Sequence, residues 1–356
     1  MSADPSAMLT CEGVAPALEP AAVAAFWREF AAREQVLSAQ SGQDFVEAVN
    51  TLLSACTEDL ALELEGEDSP RRLVITAHGR VEQFANVQAL AAAAPPLAHH
   101  EVGAFRTRGS GEFAMRMNDF ELPTSDVIVG HYNARGLVGL ELRFARDVPM
   151  DLVEHARHMA FIMLDHVLGE YDFAVRVGPV DFVESFSDEV EGEQPLAAFA
   201  PVFDRFWRDT LGRNDRFPGD EGPWAMLEVD EGDDHPAMMM MLNRGADALT
   251  TRADLPWALE VTLPVEDRAS LDRVQDAQDA IARALEAGQD GVLALSRMAS
   301  GQRTALYYVG SAATAAERAR AACQQAGLPA PGLACAFDPS WHSYLDFYTG
   351  PCQSSD

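Results

Sequence analysis

Glu154, His155, His158, Asp165 and His166 fall within one helical pattern and form the best set of metal-ligand types in the chain. Glu154 and His158 stand four residues apart, and Asp165 lies two turns further along the same face, a spacing that brings helix side chains together. Carboxylates and imidazoles so placed suit zinc or iron. The order E-H-x-x-H lacks the glutamate that a zinc peptidase sets between two histidine ligands to activate water. The same spacing describes a solvated surface helix, so no cofactor is expected.

Arg106 and Arg108 lie two residues apart in a strand pattern. Two guanidinium groups on one strand face would clamp a carboxylate or another anion, or serve as internal counter-charges in an acidic chain. Asp230, Glu231, Asp233 and Asp234 crowd one turn without the alternation a calcium loop requires, and read as a solvated hairpin tip. Met238–Met241 offer four consecutive thioethers, for which packing on both faces of a strand is expected rather than copper binding. His99 and His100, adjacent in a strand, point to opposite faces and cannot chelate together. His342 reads as a packed loop residue. Neither a G-x-S-x-G elbow, nor a P-loop, nor a dinucleotide fingerprint is present.

Several elements must position these groups. Aromatic helix faces recur at Val23–Phe30 and Phe199–Trp207, a capped helix follows Ser41, and strands are expected at 60–65, 73–77, 101–107, 112–117, 126–132 and 137–144. A long helix follows Pro149, and a strand is expected over 172–177. From 256 to 348 the pattern is β-α-β-β-α-β, the split, ferredoxin-like arrangement. Its helices show as Leu271, Val274, Ile281 and Leu285, then Ala315, Ala319 and Ala322, with Gly327 as terminator.

The expected class is α+β, with two domains that are each an antiparallel sheet covered by helices. Residues 1–20 read as a leader, 21–186 as an N-terminal domain and 187–194 as an acidic linker. Residues 195–348 read as a C-terminal domain and 349–356 as a tail.

The chain has 356 residues, 26 basic against 56 acidic, a net charge of −30. All the basic residues are arginine. Between Asp181 and His235 there are 16 acidic and 4 basic residues, a local net of −12. Such a field repels nucleic-acid backbones and anionic membranes as direct partners, and fits a basic protein partner. Five scattered cysteines without C-x-x-C spacing argue against a disulfide framework or zinc site and for the cytoplasm. No apolar run reaches the ~20 residues of a membrane span.

Trp224, Pro256 with Trp257, the Gly301–Tyr308 hairpin, Asp338–Trp341 and Tyr344 together resemble a bacterial family defined as a domain of unknown function, numbered 695, over about 195–348. In fold, the part from Pro256 to Tyr348 is also similar to the type B regulators of ribonuclease E activity. That likeness implies an acidic protein that binds and inhibits another protein without being an enzyme. It carries over no binding residue. The first function expected is thus non-catalytic: an acidic cytoplasmic regulator or immunity-type inhibitor of a protein partner, with Asp230, Glu231, Asp233, Asp234, Arg106 and Arg108 as candidate contacts. The alternatives are a metal-dependent enzyme using Glu154, His158 and Asp165, and a small-molecule sensor with a pocket between the domains.

Overall fold

The first strand, β1 (Cys11–Glu12), runs parallel to the last strand of the chain, with Cys11 in register with Cys335 and Glu12 with Ala336. The two cysteines form a disulfide, their Cα atoms 4.5 Å apart and their positions 324 residues apart in sequence. This architecture is seen in a computed structural model that describes residues 9–66, 70–109, 112–117, 120–219, 222–229 and 238–350. Residues 1–8 of the expected leader, the expected tail from 351 on, and Asp230, Glu231, Asp233 and Asp234 lie outside the described residues.

Two expectations fall here. Part of the supposed leader is a sheet strand, and two of the five cysteines are bridged. Pairing across 324 residues leaves no local spacing to read. Gly13 follows with φ +72°, and a Cβ there would lie 3.1 Å from the Phe337 carbonyl oxygen, so this close approach of two backbones requires glycine. Cys56 and Cys323 are free thiols.

The chain divides into two compact units. One is continuous, residues 14–204. The other is split: the described residues through Gly13 together with those from Arg205 onward.

In the continuous unit, α1 (Pro20–Leu37) begins on a proline whose fixed φ suits a first helical position. It buries Phe26, Trp27 and Phe30. α2 (Gly42–Leu53) is capped by Ser41, whose hydroxyl accepts the Asp44 N–H. β2 (Ala61–Glu65) pairs antiparallel with β3 (Arg71–Thr76). After α3 (Phe84–Ala92), β4 (His100–Ala104) joins β3 in parallel to close a three-stranded sheet.

The ribbon of β5 (Ala114–Met117) and β6 (Phe120–Pro123) precedes β7 (Val127–Ala134) and β8 (Leu137–Phe144). Arg135 and Gly136, with φ of 55° and 88°, make the two-residue turn from β7 to β8. Asn133 Oδ1 accepts the Gly136 N–H across it at 2.7 Å. α4 (Val153–Leu168) then leads to β9 (Val177–Phe182) and β10 (Gly192–Pro195), giving a sheet of order β10-β7-β8-β9.

Three local expectations are corrected in this unit. The strand expected at 101–107 ends at Ala104, because Phe105 turns to φ +65°. The segment expected as a strand at 172–177 is a π-helical turn, Asp172–Arg176, and the strand starts only at Val177. The expected linker 187–194 contains most of β10, which pairs with β7 from Gly192↔His131 to Pro195↔Ile128 and so belongs inside this unit.

The division between units falls at Asp204/Arg205, within α5 (Ala200–Arg205). The split unit continues with β11 (Trp224–Val229), β12 (Met238–Asn243), β13 (Trp257–Pro264), α6 (Arg268–Ala287), β14 (Gly291–Ala299) and β15 (Gln302–Val309). It ends with α7 (Ala312–Gln325), β16 (Gly332–Phe337) and α8 (His342–Tyr348). Among the described residues they form a seven-stranded sheet of order β1-β16-β13-β15-β14-β12-β11. All its pairings are antiparallel except β1 with β16.

Leu259, Val261 and Tyr307 from the sheet pack against Ile281 and Leu285 of α6 and Ala315 and Ala319 of α7. Both helices therefore cover the same face, and the small side chains of α7 let it lie close. The chain is α+β. Among the described residues no helix is long and apolar enough to cross a membrane.

Candidate functional site

Past Ala104 the chain leaves the β4 ladder, and Arg106 and Arg108 meet carboxylates that converge from other elements. Arg106 grips Glu63 of β2 in a fork, Nε to Oε2 at 2.9 Å and Nη2 to Oε1 at 2.8 Å, while Nη1 bonds Asp165 of α4. Its backbone N–H donates to Glu170 at 3.2 Å. Glu170 is fully buried and also accepts the Ala77 and Gly79 N–H groups at 3.0 Å each. His78 completes the edge of the cluster, Nδ1 lying 3.8 Å from Glu63 Oε1.

Arg108 bonds Asp172, Asp204 at 2.8 Å and the Leu168 carbonyl at 3.0 Å, with its guanidinium over the Phe203 ring. The two arginines are therefore internal counter-charges, each matched by at least two carboxylates. The anion clamp that their spacing suggested is occupied from within.

Burial pushes the Glu63 carboxyl up, but the hydrogen bond and charge of Arg106, with His78 and His166 behind them, hold it below the usual carboxylate range. Burial and the Arg106 charge together push His166 below the ordinary imidazole value, against the pull of Glu63 and Glu65.

Asp165 is thus brought to Arg106, not to Glu154 or His158. Glu154 is exposed and pairs with Arg157 at 2.8 Å, and His158 is exposed on α4. Among the described residues no group of three or more His, Cys, Asp or Glu side chains is set to hold a metal ion. The adjacent histidines part: His100 is buried, its Nδ1 3.0 Å from Glu34 Oε1 and its ring stacked on Phe45 at 5.0 Å. Glu34 in turn accepts the Ala98 and His99 N–H groups.

In the split unit, the aromatic landmarks at the C-terminal end share one buried assembly. Tyr308 stacks on Trp341 with ring centres 3.7 Å apart, and its hydroxyl donates to Asp338 at 2.6 Å. Asp338 also accepts the His342 and Ser343 N–H groups, Trp341 Nε1 donates to the Leu255 carbonyl, and the Tyr344 hydroxyl donates to the Asn243 carbonyl. Burial drives the Tyr308 hydroxyl well above its usual value, so it stays a donor. These side chains are buried and hold the sheet to α8.

At the opposite end of that sheet, β11 has no strand on its outer side among the described residues. Cross-strand pairing sets Trp224 opposite Asn243, Met226 opposite Met241 and Glu228 opposite Met239, all on one face. Trp224 is 41% exposed, Met226 68% and Met239 42%, whereas Met238 and Met240 are buried. The expectation that the methionine run is packed on both faces is corrected, because β12 sits one strand from the sheet edge, where its second face has only a partial cover. A recess of about 380 Å³ adjoins this ledge, lined by Pro218, Trp224 and Asn243 on one side and Asp279, Arg283 and Glu286 of α6 on the other. The period-two burial of the methionines could be anticipated from strand geometry; the ledge itself required knowing that β11 ends the sheet.

No family model, curated protein or solved structure matches this chain.

Proposed function

We propose that the protein acts by binding a basic protein partner, as a regulator or immunity-type inhibitor, and not by making or breaking bonds. One observation carries the reading: three large apolar side chains, Trp224, Met226 and Met239, share an open sheet edge in a chain of net charge −30. Single exposed apolar residues need no explanation, but a clustered ledge rimmed by charge marks an interaction surface. Support also comes from the continuous unit, where Glu63, Asp165, Asp172 and Asp204 match Arg106 and Arg108 as internal counter-charges.

We further propose that the part of residues 195–348 that lies in the split unit, from Arg205 on, shares the fold of the domain family numbered 695. In favour is the burial of Tyr308, Asp338, Trp341 and Tyr344 as one hydrogen-bonded assembly, a physical reason for such landmarks to recur. The proposed setting is the cytoplasm, although the Cys11–Cys335 bridge removes the support that cysteine spacing lent to it.

The immobilised protein, challenged with lysate of its own cells, should retain a basic protein at about 50 mM salt and release it at about 500 mM. Retention of nothing, or retention indifferent to salt, would remove the charge argument. Trapping free thiols before lysis tests the setting, since full alkylation of Cys11 and Cys335 is expected in a reducing compartment.

A further inference from the structure

We infer that β11 is an acceptor edge, which takes up an extended segment rich in both aliphatic and basic residues as an additional strand. This deepens the partner-binding reading and rests on it. Among the described residues β11 ends its sheet and pairs on one side only, with β12. A strand in that position presents a row of backbone donors and acceptors to any chain laid alongside. Natural edges are usually blunted with charge, proline or a bulge. β11 reads Trp-Ala-Met-Leu-Glu-Val, with Glu228 its single charge, no proline and an unbroken register against β12.

Side chains of an added strand would fall beside Trp224 and Met226, with Met239 one strand behind. Thioethers adapt to varied apolar shapes, and the recess next to Trp224 offers depth for an aliphatic group. Around that apolar floor, Glu228, Asp279 and Glu286 outweigh Arg283.

Charge selects among the occupants an open edge could take. By sequence alone, Asp220 and Glu221 come just before β11, and Asp230, Glu231, Asp233 and Asp234 just after it. A second copy of this chain would bring the same −30 charge, which like-charge repulsion disfavours. A segment carrying lysine or arginine between aliphatic residues meets both the floor and the rim.

The probes are two blocked peptides of about eight residues, within ordinary strand length. One repeats Lys-Lys-Val-Val, so that each face of the strand presents both residue types; the other repeats Glu-Glu-Val-Val. The lysine peptide should bind the full chain and slow hydrogen exchange at the 224–229 amides, and its affinity should fall at least about tenfold between roughly 50 and 500 mM salt. The glutamate peptide should bind at least about tenfold more weakly, and Met226→Lys, a change on the solvated ledge, should weaken the lysine peptide by a similar factor. Equal binding of both peptides, protection on another element, or indifference to Met226→Lys would overturn the inference. So would a dimer by sedimentation whose 224–229 amides are protected without peptide, since the edge would then belong to a second copy. If Met226→Lys holds a lysate partner as firmly as the unaltered protein, the edge assignment fails while partner binding stands; if nothing is captured at all, the broader reading fails as well.

Discussion

Arg106 decides the local chemistry of the continuous unit, because it pairs with both Glu63 and Asp165. Its side chain is only 10% exposed, so removing it leaves two carboxylates facing each other with little water to screen them. Arg106→Ala should cost about 3 kcal/mol in urea unfolding, the scale for breaking a largely buried pair from one side. Arg106→Lys keeps the charge but loses the fork to Glu63, and should recover only part of that.

Glu63 has its folded-state pKa lowered, so its contribution is fully present above the unfolded value of about 4.3 and is lost as pH falls through the folded value. Glu63→Gln should therefore flatten the stability–pH curve below about pH 4.3; an unchanged slope there would contradict the pairing. The Arg106–Asp165 contact was not legible in the sequence. Each residue could be singled out by type, but their meeting depends on where α4 ends relative to β4, a relation set by the whole unit.

At the scale of elements, local signals told most where neighbours in sequence are neighbours in space. The alternation of Leu259, Val261 and Leu263, the α6 spacing and the Ser300-Gly301 turn, with φ of 50° and 72°, located β13 through β15 within a few residues. β8 lies at Leu137–Phe144 as expected. β1 and β10 escaped for the opposite reason: each is short, and each pairs with a strand far away in sequence. The acidic run before β10 looked like a linker because charge reports solvation, not pairing.

The bridge between β1 and β16 carries its own prediction. Closing a loop of 324 residues restricts the unfolded chain by roughly 5–6 kcal/mol at most in the chain-entropy treatment. Cys11→Ser should lower the midpoint of the split unit's thermal transition by about 10 °C. Reduction should do the same and raise the count of alkylated thiols in unfolded protein by two. An unshifted midpoint under both treatments would show that the bridge does not form.

Over the whole molecule, a net charge of −30 works against compactness. Salt screens this self-repulsion, while pairs as enclosed as Arg106–Glu63 are screened much less. The repulsive part should win, so the melting temperature should rise by a few degrees between about 10 and 150 mM sodium chloride. A fall would mean that attractive surface pairs dominate.

The same sheet that closes on β1 has a timing built into it. A ribosome adds about 5–20 residues each second, so Cys11 is made roughly 16–65 s before Cys335 exists. In the interval residues 14–204 are complete and can fold, while the segment ahead of them has no template to lie against. Birth order and folding order are therefore reversed for β1, and Cys11 waits for its mate, open until then to any oxidant or foreign thiol it meets.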